Sequence, residues 1–535
     1  MSHLMNRISL FGSLTIAGMM TFAPSFGKVS KVQKPNILFI LADDYGWKDM
    51  SCSGSTYYET PNLDRLAQEG VRFTHAYSAC SVCSPSRATI LTGQYTPRHD
   101  VTNFVGPASG VEWRKMNRFS KLLPPEYAHN LSASSVTFAE VLRQQGYKTF
   151  FAGKWHLGNK GSYPEDHGFD INKGAYEAGS PSGGYFSPYN NPKLSDGPNG
   201  EDLSKRLAME TAGFIKTQVT KDAHQPFLAY LSFYAVHAPI QTSQPRWKYF
   251  RDKAEKQGLA PSGFIIDRTL PVRQFQDNPV YAGLVQQMDD AIGLVLQQLK
   301  DLGIDNNTLV VFTSDNGGVS SGDDFSTSNL PLRGGKGRQW EAGTRVPLII
   351  KTGQEIKNKI CDVPVMGIDF FPTILEYAGL PQMLQKQKDG VSLMPLLNGN
   401  NIDQRMLYWH YPHYGNQGGE PSSTILAGDW KLIYYHEDGR NELYNLKMDE
   451  SESQPLNAKY PNQVKDLRAK LDKWLVEVKA KMPVADPLYD SAKAEALREK
   501  QHTELLNNVE KKRLLLLSKD FQPNANWWKS KQTTD

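Results

Sequence analysis

The chain has 535 residues, of which 39% are hydrophobic, 11% aromatic and 22% charged, a balance typical of a folded globular protein and not of a disordered or fibrous one. Its 60 Lys and Arg against 56 Asp and Glu give a formal charge of only +4, too balanced and too evenly spread for a nucleic-acid binder. The length allows one large α/β domain and a smaller one.

The first residues have the pattern of a secretory signal. Arg7 precedes an apolar stretch from Ile8 to Met20, and small residues follow up to Gly27. We predict a cleaved signal peptide over residues 1–27, export across the inner membrane and a periplasmic location. The stretch is too short and too rich in Gly and Ser for a membrane span, and no later segment has the roughly 18 uninterrupted apolar residues that a span needs.

Four cysteines are too few for a disulfide scaffold in a chain of this length. We interpret Cys52, Cys80 and Cys361 as small hydrophobic residues of the interior, and leave a bridge between the first two open. Cys83 differs from them because Arg87 follows it within one helical turn.

The chain up to about residue 397 alternates strands with helices. The uninterrupted apolar run 36–42 is typical of a strand buried on both faces of a parallel sheet. Further strands are predicted at 147–152, 227–233, 309–313 and 346–350, and helices at 60–70, 137–145 and about 280–302. This alternation predicts an α/β fold, a large mostly parallel sheet sandwiched by helices, over residues 34–397.

The pattern changes near Leu397, and we predict a second domain over residues 398–535. Short strands separated by turn residues indicate a small antiparallel sheet, with Asp438-Gly439 as a hairpin turn. The predicted strands are 424–426, 430–436 and 442–446, and the predicted helices about 463–481 and 491–517. Lys and Glu are mixed along the last helix, so we expect it to be solvated.

Polar residues follow four of the predicted strands, where ligands bind in open α/β sheets. They are Asp43 and Asp44, Lys154 and His156, His237, and Asp315 and Asn316. A single acidic pair at a strand end is more often a cap or a turn. Four such clusters are hard to explain by caps alone, and they predict a site at this edge of the sheet.

Four of these residues offer oxygen ligands only: Asp43, Asp44, Asp315 and Asn316. Oxygen ligands favour a hard cation over zinc, whose sites usually include His or Cys. We favour calcium over magnesium because calcium tolerates irregular geometry and mixed carboxylate and amide ligands.

Cys83-Ser-Pro-Ser-Arg87 predicts a helix that begins at the cysteine and ends at Gly93. The helix dipole and free backbone amides there favour an anion, and the Arg87 guanidinium suits an oxyanion. Taken alone, this pattern predicts a thiolate nucleophile of low pKa.

The segment Cys83-x-Pro-Ser-Arg87 resembles the signature of the type I, formylglycine-dependent sulfatases of the alkaline phosphatase-like superfamily. In that family a maturation enzyme oxidises the cysteine to a formylglycine aldehyde. The resemblance extends over about 34–450, and residues after about 485 are not explained by it. The accompanying motifs are Asp43-Asp44, Gly153–Gly158, His237-Ala-Pro239, Ser314–Gly317, Arg333–Gly337 and Gly343–Pro347.

The resemblance implies one calcium ion held by the four oxygen-bearing residues together with the modified Cys83. It also implies that one hydroxyl of the hydrated aldehyde attacks sulfur, while Arg87, Lys154 and Lys336 neutralise the sulfate oxygens. His237 or Lys336 would protonate the departing oxygen, and His156 would take a proton from the second hydroxyl so that sulfate leaves.

Two alternatives stay open. A phosphatase would need ligands for a second metal, and the sequence lacks them. A phosphonate monoester or a phosphodiester, by contrast, carries a single charge, as a sulfate ester does. A hydrolase of such esters on the same fold is therefore the main alternative. A secreted binding protein with a dead site would keep Cys83 unmodified.

The sequence motifs resemble those of bacterial carbohydrate sulfatases. This resemblance implies an exo-acting enzyme that removes O-sulfate from a galactose or N-acetylgalactosamine unit of a sulfated glycan. Which hydroxyl is desulfated is left open. The Tyr- and Asn-rich segment 179–192 fits either sugar binding or a plain surface loop. For His410, Tyr411 and His413, pocket and structural roles are both open.

Overall fold

The computed structural model describes residues 34–353, 359–381 and 389–523, so the predicted signal peptide lies outside the described residues. The strands are β1 Asn36–Ala42, β2 Val71–Tyr77, β3 Leu122–Leu123, β4 Lys148–Gly153, β5 Ile171–Lys173, β6 Phe227–Ser232, β7 Phe264–Asp267, β8 Leu270–Arg273, β9 Thr308–Ser314, β10 Arg345–Lys351, β11 Lys359–Cys361, β12 Val365–Met366, β13 Met406–Tyr411, β14 Ser422–Ala427, β15 Trp430–Tyr435, β16 Asn441–Asn445 and β17 Val484–Ala485. The helices are α1 Pro61–Glu69, α2 Cys83–Thr92, α3 Thr96–His99, α4 Phe138–Gln144, α5 Leu203–Lys221, α6 Gln244–Gln257, α7 Pro279–Asp301, α8 Glu341–Thr344, α9 Phe370–Tyr377, α10 Met394–Leu397, α11 Pro461–Glu477, α12 Ser491–Lys500 and α13 Leu506–Leu517.

The large sheet has the strand order β11-β2-β10-β9-β1-β6-β4-β5, with β12 also paired to β2. The run from β9 to β5 is parallel throughout, and β10 is antiparallel to both of its neighbours. The predicted mostly parallel sheet is therefore confirmed. Periodicity carries no information on strand direction, which explains why the reversed β10 was not foreseen.

The centre of the sheet is buried on both faces, as the apolar run of β1 predicts. Leu38, Ile40 and Ala42 pack into one hydrophobic core, whereas Ile37 and Phe39 pack into the other. Side chains of α1, α5, α6 and α7 cover the first face, and side chains of α2, α4 and α9 cover the second. The central strands thus have no solvated face, and their polar residues are found only where the strands end.

The small sheet is antiparallel, in the order β13-β14-β15-β16, and packs on α11. Its first strand was not predicted, because the aromatic and His side chains of Met406–Tyr411 show no apolar–polar alternation. Leu407 and Trp409 share a core with Tyr77 and Met366 of the large sheet. The small sheet therefore lies against the β2 edge of the large one; a domain boundary at residue 397 stays a prediction.

The expectation of a solvated C-terminal helix is half right. No residue of α12 is buried, and a π-helical turn, Gln501–Leu505, joins it to α13. In α13, by contrast, Arg513 and Leu516 are buried; the Arg513 Nε donates to Asp277 at 2.6 Å, and the Leu516 carbonyl accepts from the Trp247 indole at 2.9 Å. The buried face of α13 packs on the α/β domain. It could not be recognised from the sequence because Lys and Glu are mixed along the helix.

Two further predictions can be compared with the described residues. All four cysteines are free thiols, with Cys80 and Cys361 buried and Cys52 half-buried. Within residues 34–353, 359–381 and 389–523, every helix is too short or too polar to cross a membrane.

Candidate active site

Two neighbouring parallel strands bring the predicted oxygen ligands together. Ala42, the last residue of β1, pairs with Ser314, the last residue of β9, so the residues that follow them lie side by side. The Asp44 backbone N–H donates to Asp315 Oδ1 at 3.1 Å, and Asn316 Nδ2 donates to Asp44 Oδ1 at 2.8 Å. Asp43, like these three residues, is completely or almost completely buried.

This oxygen cluster fits a hard cation. Carboxylate oxygens of Asp43, Asp44 and Asp315 lie within 4.8 Å of one another. Asp43 Oδ1 and Asn316 Oδ1 are buried without a hydrogen-bond partner among the described residues. Leaving such acceptors unsatisfied is costly, and a divalent cation bound by oxygen ligands would satisfy both. Burial raises the pKa of Asp43, and a bound cation would reverse that shift.

Three buried cations adjoin the cluster. Arg87 Nε donates to Asp315 Oδ2 at 2.7 Å, Lys154 Nζ to Asp43 Oδ2 at 2.6 Å and Lys336 Nζ to Asp44 Oδ2 at 2.8 Å. Burial alone would lower the pKa of Lys336, but the carboxylates of Asp44 and Asp323 outweigh it, so its pKa is raised and it stays charged. The site therefore holds fixed positive charge next to carboxylates that could bind a metal.

Cys83 is the first residue of α2, as predicted, and Gly93 ends that helix in a left-handed conformation with φ of 65°. The Cys83 Sγ lies 3.3 Å from His156 Nδ1, and His156 Nε2 faces the Val105 carbonyl at 3.2 Å. Because a carbonyl only accepts, Nε2 carries the proton in the neutral ring and Nδ1 is the acceptor. His156 thus presents an acceptor nitrogen towards the Cys83 sulfur.

Space for the His156 ring depends on Gly179. A Cβ at that position would lie 2.5 Å from His156 Cε1 and 2.6 Å from Nε2, closer than any real contact. His156 and Asp44 also have positive φ angles, 55° and 61°, which are uncommon for residues other than glycine and recur at functional sites.

The prediction of a low-pKa thiolate is wrong. Burial raises the pKa of the Cys83 thiol above its ordinary value, even though Lys154 and Lys336 lower it. The loss of solvation of a buried thiolate raises the pKa by more than the helix N-terminus and the nearby cations lower it. In the absence of a bound cation, this shift disfavours the thiolate form of an unmodified Cys83.

His237 follows β6 and is half-buried above the cluster. Its Nε2 lies 3.7 Å from Asp44 Oδ2, and its Nδ1 lies 2.7 Å from the Ala238 carbonyl. Burial, together with the positive charge of Lys336, lowers the pKa of His237 to about 4. The ring thus sits beside Lys336, with its Nε2 towards the Asp44 carboxylate.

These side chains open into a cavity of about 400 Å³. It is lined by Cys83, Phe104, Val105, His156, Gly179, Ser180, His237, Ala238, Asp323, Asp324, Lys336, Asn416 and Gln417. Sequence reasoning missed Asp323, whose Oδ2 accepts from Lys336 at 3.3 Å and from Gln417 at 2.7 Å. An acidic pair after Gly322 was its only signal, and nothing in the sequence linked Asn416 or Gln417 to the site.

For the segment 179–192 and for His410, Tyr411 and His413, the sequence leaves both sugar-binding and structural roles open. Gly179 and Ser180 line the cavity, whereas the aromatic and His side chains make internal contacts. In the segment 179–192, Tyr185 and Tyr189 are buried, and the Tyr185 hydroxyl donates to the Tyr234 carbonyl at 2.6 Å. His410 is buried between Ser423 Oγ and the Lys481 carbonyl, at 2.7 and 2.9 Å. Neither these residues nor Tyr411 and His413, which bond Asn103 and Thr102, line the cavity.

Two sequence profiles match the chain. That of the Sulfatase family matches residues 35–380, and that of the N-sulphoglucosamine sulphohydrolase C-terminal region matches residues 336–481. The first match covers more than half of the chain and includes every predicted site residue.

Similar proteins agree with the profiles. A "Sulfatase" of Formosa agariphila is 32% identical over 88% of this chain and 94% of its own length, and human N-acetylgalactosamine-6-sulfatase is 32% identical over 70% of this chain and 68% of its own. The solved structure of Ps i-CgsB in complex with k-i-k-neocarrahexaose aligns with a TM-score of 0.66 at 24% identity, covering 89% of this chain and all of that one, and so shares the fold.

The matched region contains the helix that begins at Cys83, the oxygen cluster at the ends of β1 and β9, and the buried Lys336. The chain belongs to the sulfatase family and is a sulfuric ester hydrolase.

Proposed function

We propose that this enzyme removes O-sulfate from a sulfated carbohydrate, acting on one exposed sugar at a time, with Cys83 converted to formylglycine and one calcium ion bound. The observation that carries the proposal is the packing of three buried cations around a buried oxygen cluster, where one of those cations, Lys336, lines the same cavity as Cys83.

Cys83 stands at the first position of the Cys-x-Pro-Ser-Arg segment that resembles the sequence modified to formylglycine, and it begins the helix α2. A maturation enzyme would act on the exported or nascent chain, in keeping with the predicted signal peptide and periplasmic location. Asp43, Asp44, Asp315 and Asn316 would hold calcium, since their donor set and their two unsatisfied oxygens suit that ion. When bound, the ion would polarise the sulfate ester as a Lewis acid.

The cations hold the sulfate oxygens. Arg87 is held by Asp315 and by Ser232 Oγ, which accepts from its NH1 at 2.8 Å; its buried NH2 lies 3.5 Å from Asp43 Oδ1 and makes no hydrogen bond among the described residues. A sulfate oxygen would satisfy that donor. Lys154 and Lys336 add two charges that need no reorganisation during the reaction.

Two histidines take part in the proton transfers. His156 accepts a proton from residue 83 at Nδ1, because the Val105 carbonyl fixes its other nitrogen as the donor. The leaving oxygen is protonated from the part of the cavity wall that His237 and Lys336 line. Because the Ala238 carbonyl holds the Nδ1 proton of the neutral His237 ring, the charged Lys336 is the proton donor, and His237 would help to direct that proton to the leaving oxygen.

The charge balance favours sulfate over a phosphate monoester. Among the described residues, Asp43, Asp44 and Asp315 form one acidic cluster with metal-ligand spacing, whereas a phosphate monoester, with two charges, calls for a second metal. The named activity of the human relative, on N-acetylgalactosamine 6-sulfate, supports a galactose-type sugar as the substrate here.

A substrate panel tests the proposal. The protein, produced with a formylglycine-generating enzyme, is incubated with 4-O- and 6-O-sulfated galactose and N-acetylgalactosamine, with 4-nitrophenyl sulfate and with a phenyl phosphonate monoester. We expect free sulfate from at least one sulfated sugar, measured by ion chromatography. A higher kcat/KM on the phosphonate ester than on every sulfate would instead identify the alternative hydrolase.

Replacement of His237 by Ala should affect sugar sulfates most. A sugar hydroxyl is a poor leaving group and needs a proton, whereas nitrophenolate leaves without one. We expect kcat on the sugar sulfate to fall by about 100-fold and kcat on 4-nitrophenyl sulfate by less than about 10-fold.

His413→Ala is the matched control, because His413 is buried and hydrogen-bonded to Thr102 outside the cavity. This variant should have a lower melting temperature, but its kcat should change by the same factor on the sugar sulfate and on 4-nitrophenyl sulfate. Equal losses on both substrates in His237→Ala would refute the protonation role.

A further inference from the structure

A second groove adjoins the active-site cavity. It has a volume of about 630 Å³ and shares two lining residues, Asp323 and Asn416, with the cavity. One wall comes from the C-terminal extension, through Tyr489, Ala494, Leu497, Arg498, Gln501 and Leu505. Both matched profiles end before this wall, at residues 380 and 481.

The extension is fixed on both sides of the groove. Before it, β17 pairs with β3, and Asp486 accepts three hydrogen bonds from the Arg114 guanidinium, one at 2.7 Å and two at 3.1 Å. Beyond it, Arg513 is buried and paired with Asp277 at 2.6 Å. Lys512 also reaches Asp324, a residue of the active-site cavity, at 2.8 Å. The wall is therefore a fixed part of the folded protein.

Four aromatic residues line the groove: Phe119, Phe325, Tyr414 and Tyr489. Phe325 is buried, whereas the other three are half-buried, so part of each of their rings faces the open space. The Tyr414 hydroxyl is bonded to Glu437, whereas the Tyr489 hydroxyl makes no hydrogen bond within residues 34–353, 359–381 and 389–523. Rings with an apolar face and a polar edge suit a sugar, which offers both C–H faces and hydroxyls.

Arg118 supplies the groove with an unpaired positive charge. It is half-buried and donates to the Gly415 carbonyl at 3.1 Å and to Asn416 Oδ1, both neutral acceptors. No carboxylate of the described chain lies within 4.0 Å of it, whereas Lys121 and Arg498 of the same groove have Glu437 and Glu495 as partners at 3.6 and 3.3 Å. A guanidinium with free donors suits a sulfate or a carboxylate.

We propose that this groove binds the sugar next to the one that loses its sulfate, with Tyr489 packing on the ring and Arg118 pairing with an anionic group on that sugar. The inference rests on the proposed function and deepens it: the substrate is an oligosaccharide with charge on at least two neighbouring units. The anionic group is a sulfate ester or a uronic carboxylate.

Tyr489→Ala tests the groove. We expect kcat/KM on a sulfated oligosaccharide to fall by about 10-fold, mainly through KM, with a change of less than about 2-fold on 4-nitrophenyl sulfate, which is too small to reach the groove. Leu488→Ala is the matched control, since Leu488 is 69% exposed and does not line the groove, and it should change neither rate. Equal losses on both substrates in Tyr489→Ala would overturn the proposal.

Arg118→Gln identifies the anion. Three oligosaccharides share the sulfated sugar and carry a sulfated, a carboxylated or a neutral neighbour. We expect the variant to lose about 10-fold in kcat/KM on one or both charged substrates and little on the neutral one. Equal rates of the unaltered enzyme on all three would overturn the inference while leaving the proposed function intact, whereas release of sulfate from none of them would overturn both.

Discussion

Replacing Cys83 by Ala should abolish turnover, with a loss of about 1,000-fold or more in kcat on any sulfate ester, because the hydrated aldehyde proposed at residue 83 supplies the attacking hydroxyl. The measurement is sulfate release by protein made together with a formylglycine-generating enzyme. The fold should survive, since the substitution removes one sulfur atom from the first turn of α2.

Cys361→Ala provides the control for that experiment. Cys361 is also a buried free thiol, but it lies in β11, away from the cavity, so its loss should leave kcat nearly unchanged. Near-normal activity in Cys83→Ala would refute the proposed mechanism.

Asp315→Asn should have the second largest effect. The amide keeps the size of the side chain but removes a charge from the oxygen cluster, where Asp315 accepts from Arg87 at 2.7 Å and from the Asp44 backbone at 3.1 Å. We expect kcat to fall by about 100-fold or more, while the melting temperature without calcium drops by only about a few degrees.

A binding measurement separates this role from a purely structural one. Calcium should raise the melting temperature of the unaltered protein, and chelation should reverse the rise, whereas Asp315→Asn should not respond. Asp369→Asn is the matched control: Asp369 is equally buried and ion-paired with Arg405, so it should lose stability but keep the calcium response. Parallel losses of activity and stability in Asp315→Asn, with an unchanged calcium response, would contradict the metal site.

Much of the site could be predicted because the sheet is parallel. Polar residues after four buried strands had to meet at one edge, and Asp43 and Asp315 do so across the paired ends of β1 and β9. The helix that begins at Cys83 followed from Pro85 and Gly93, which mark its two ends.

Other features depend on tertiary contacts that no local pattern records. Asp323 and Gln417 reach the cavity from two loops, and the raised pKa of the Cys83 thiol results from complete enclosure by distant elements. The buried face of α13 was concealed for the same reason, since its ion pair with Asp277 spans 236 residues of sequence. A mixture of Lys and Glu along a helix predicts a solvent-exposed helix only when no other part of the protein packs against it.

The mass of the tryptic peptide 73–87 is the most direct test of the central claim. Protein made with and without the formylglycine-generating enzyme would give samples with different fractions of residue 83 in the aldehyde form, and each sample is also assayed for sulfate release. We predict that kcat per molecule rises in proportion to the modified fraction and extrapolates to zero when every residue 83 is a thiol. Full activity in a sample whose peptide carries only unmodified Cys83 would contradict the account.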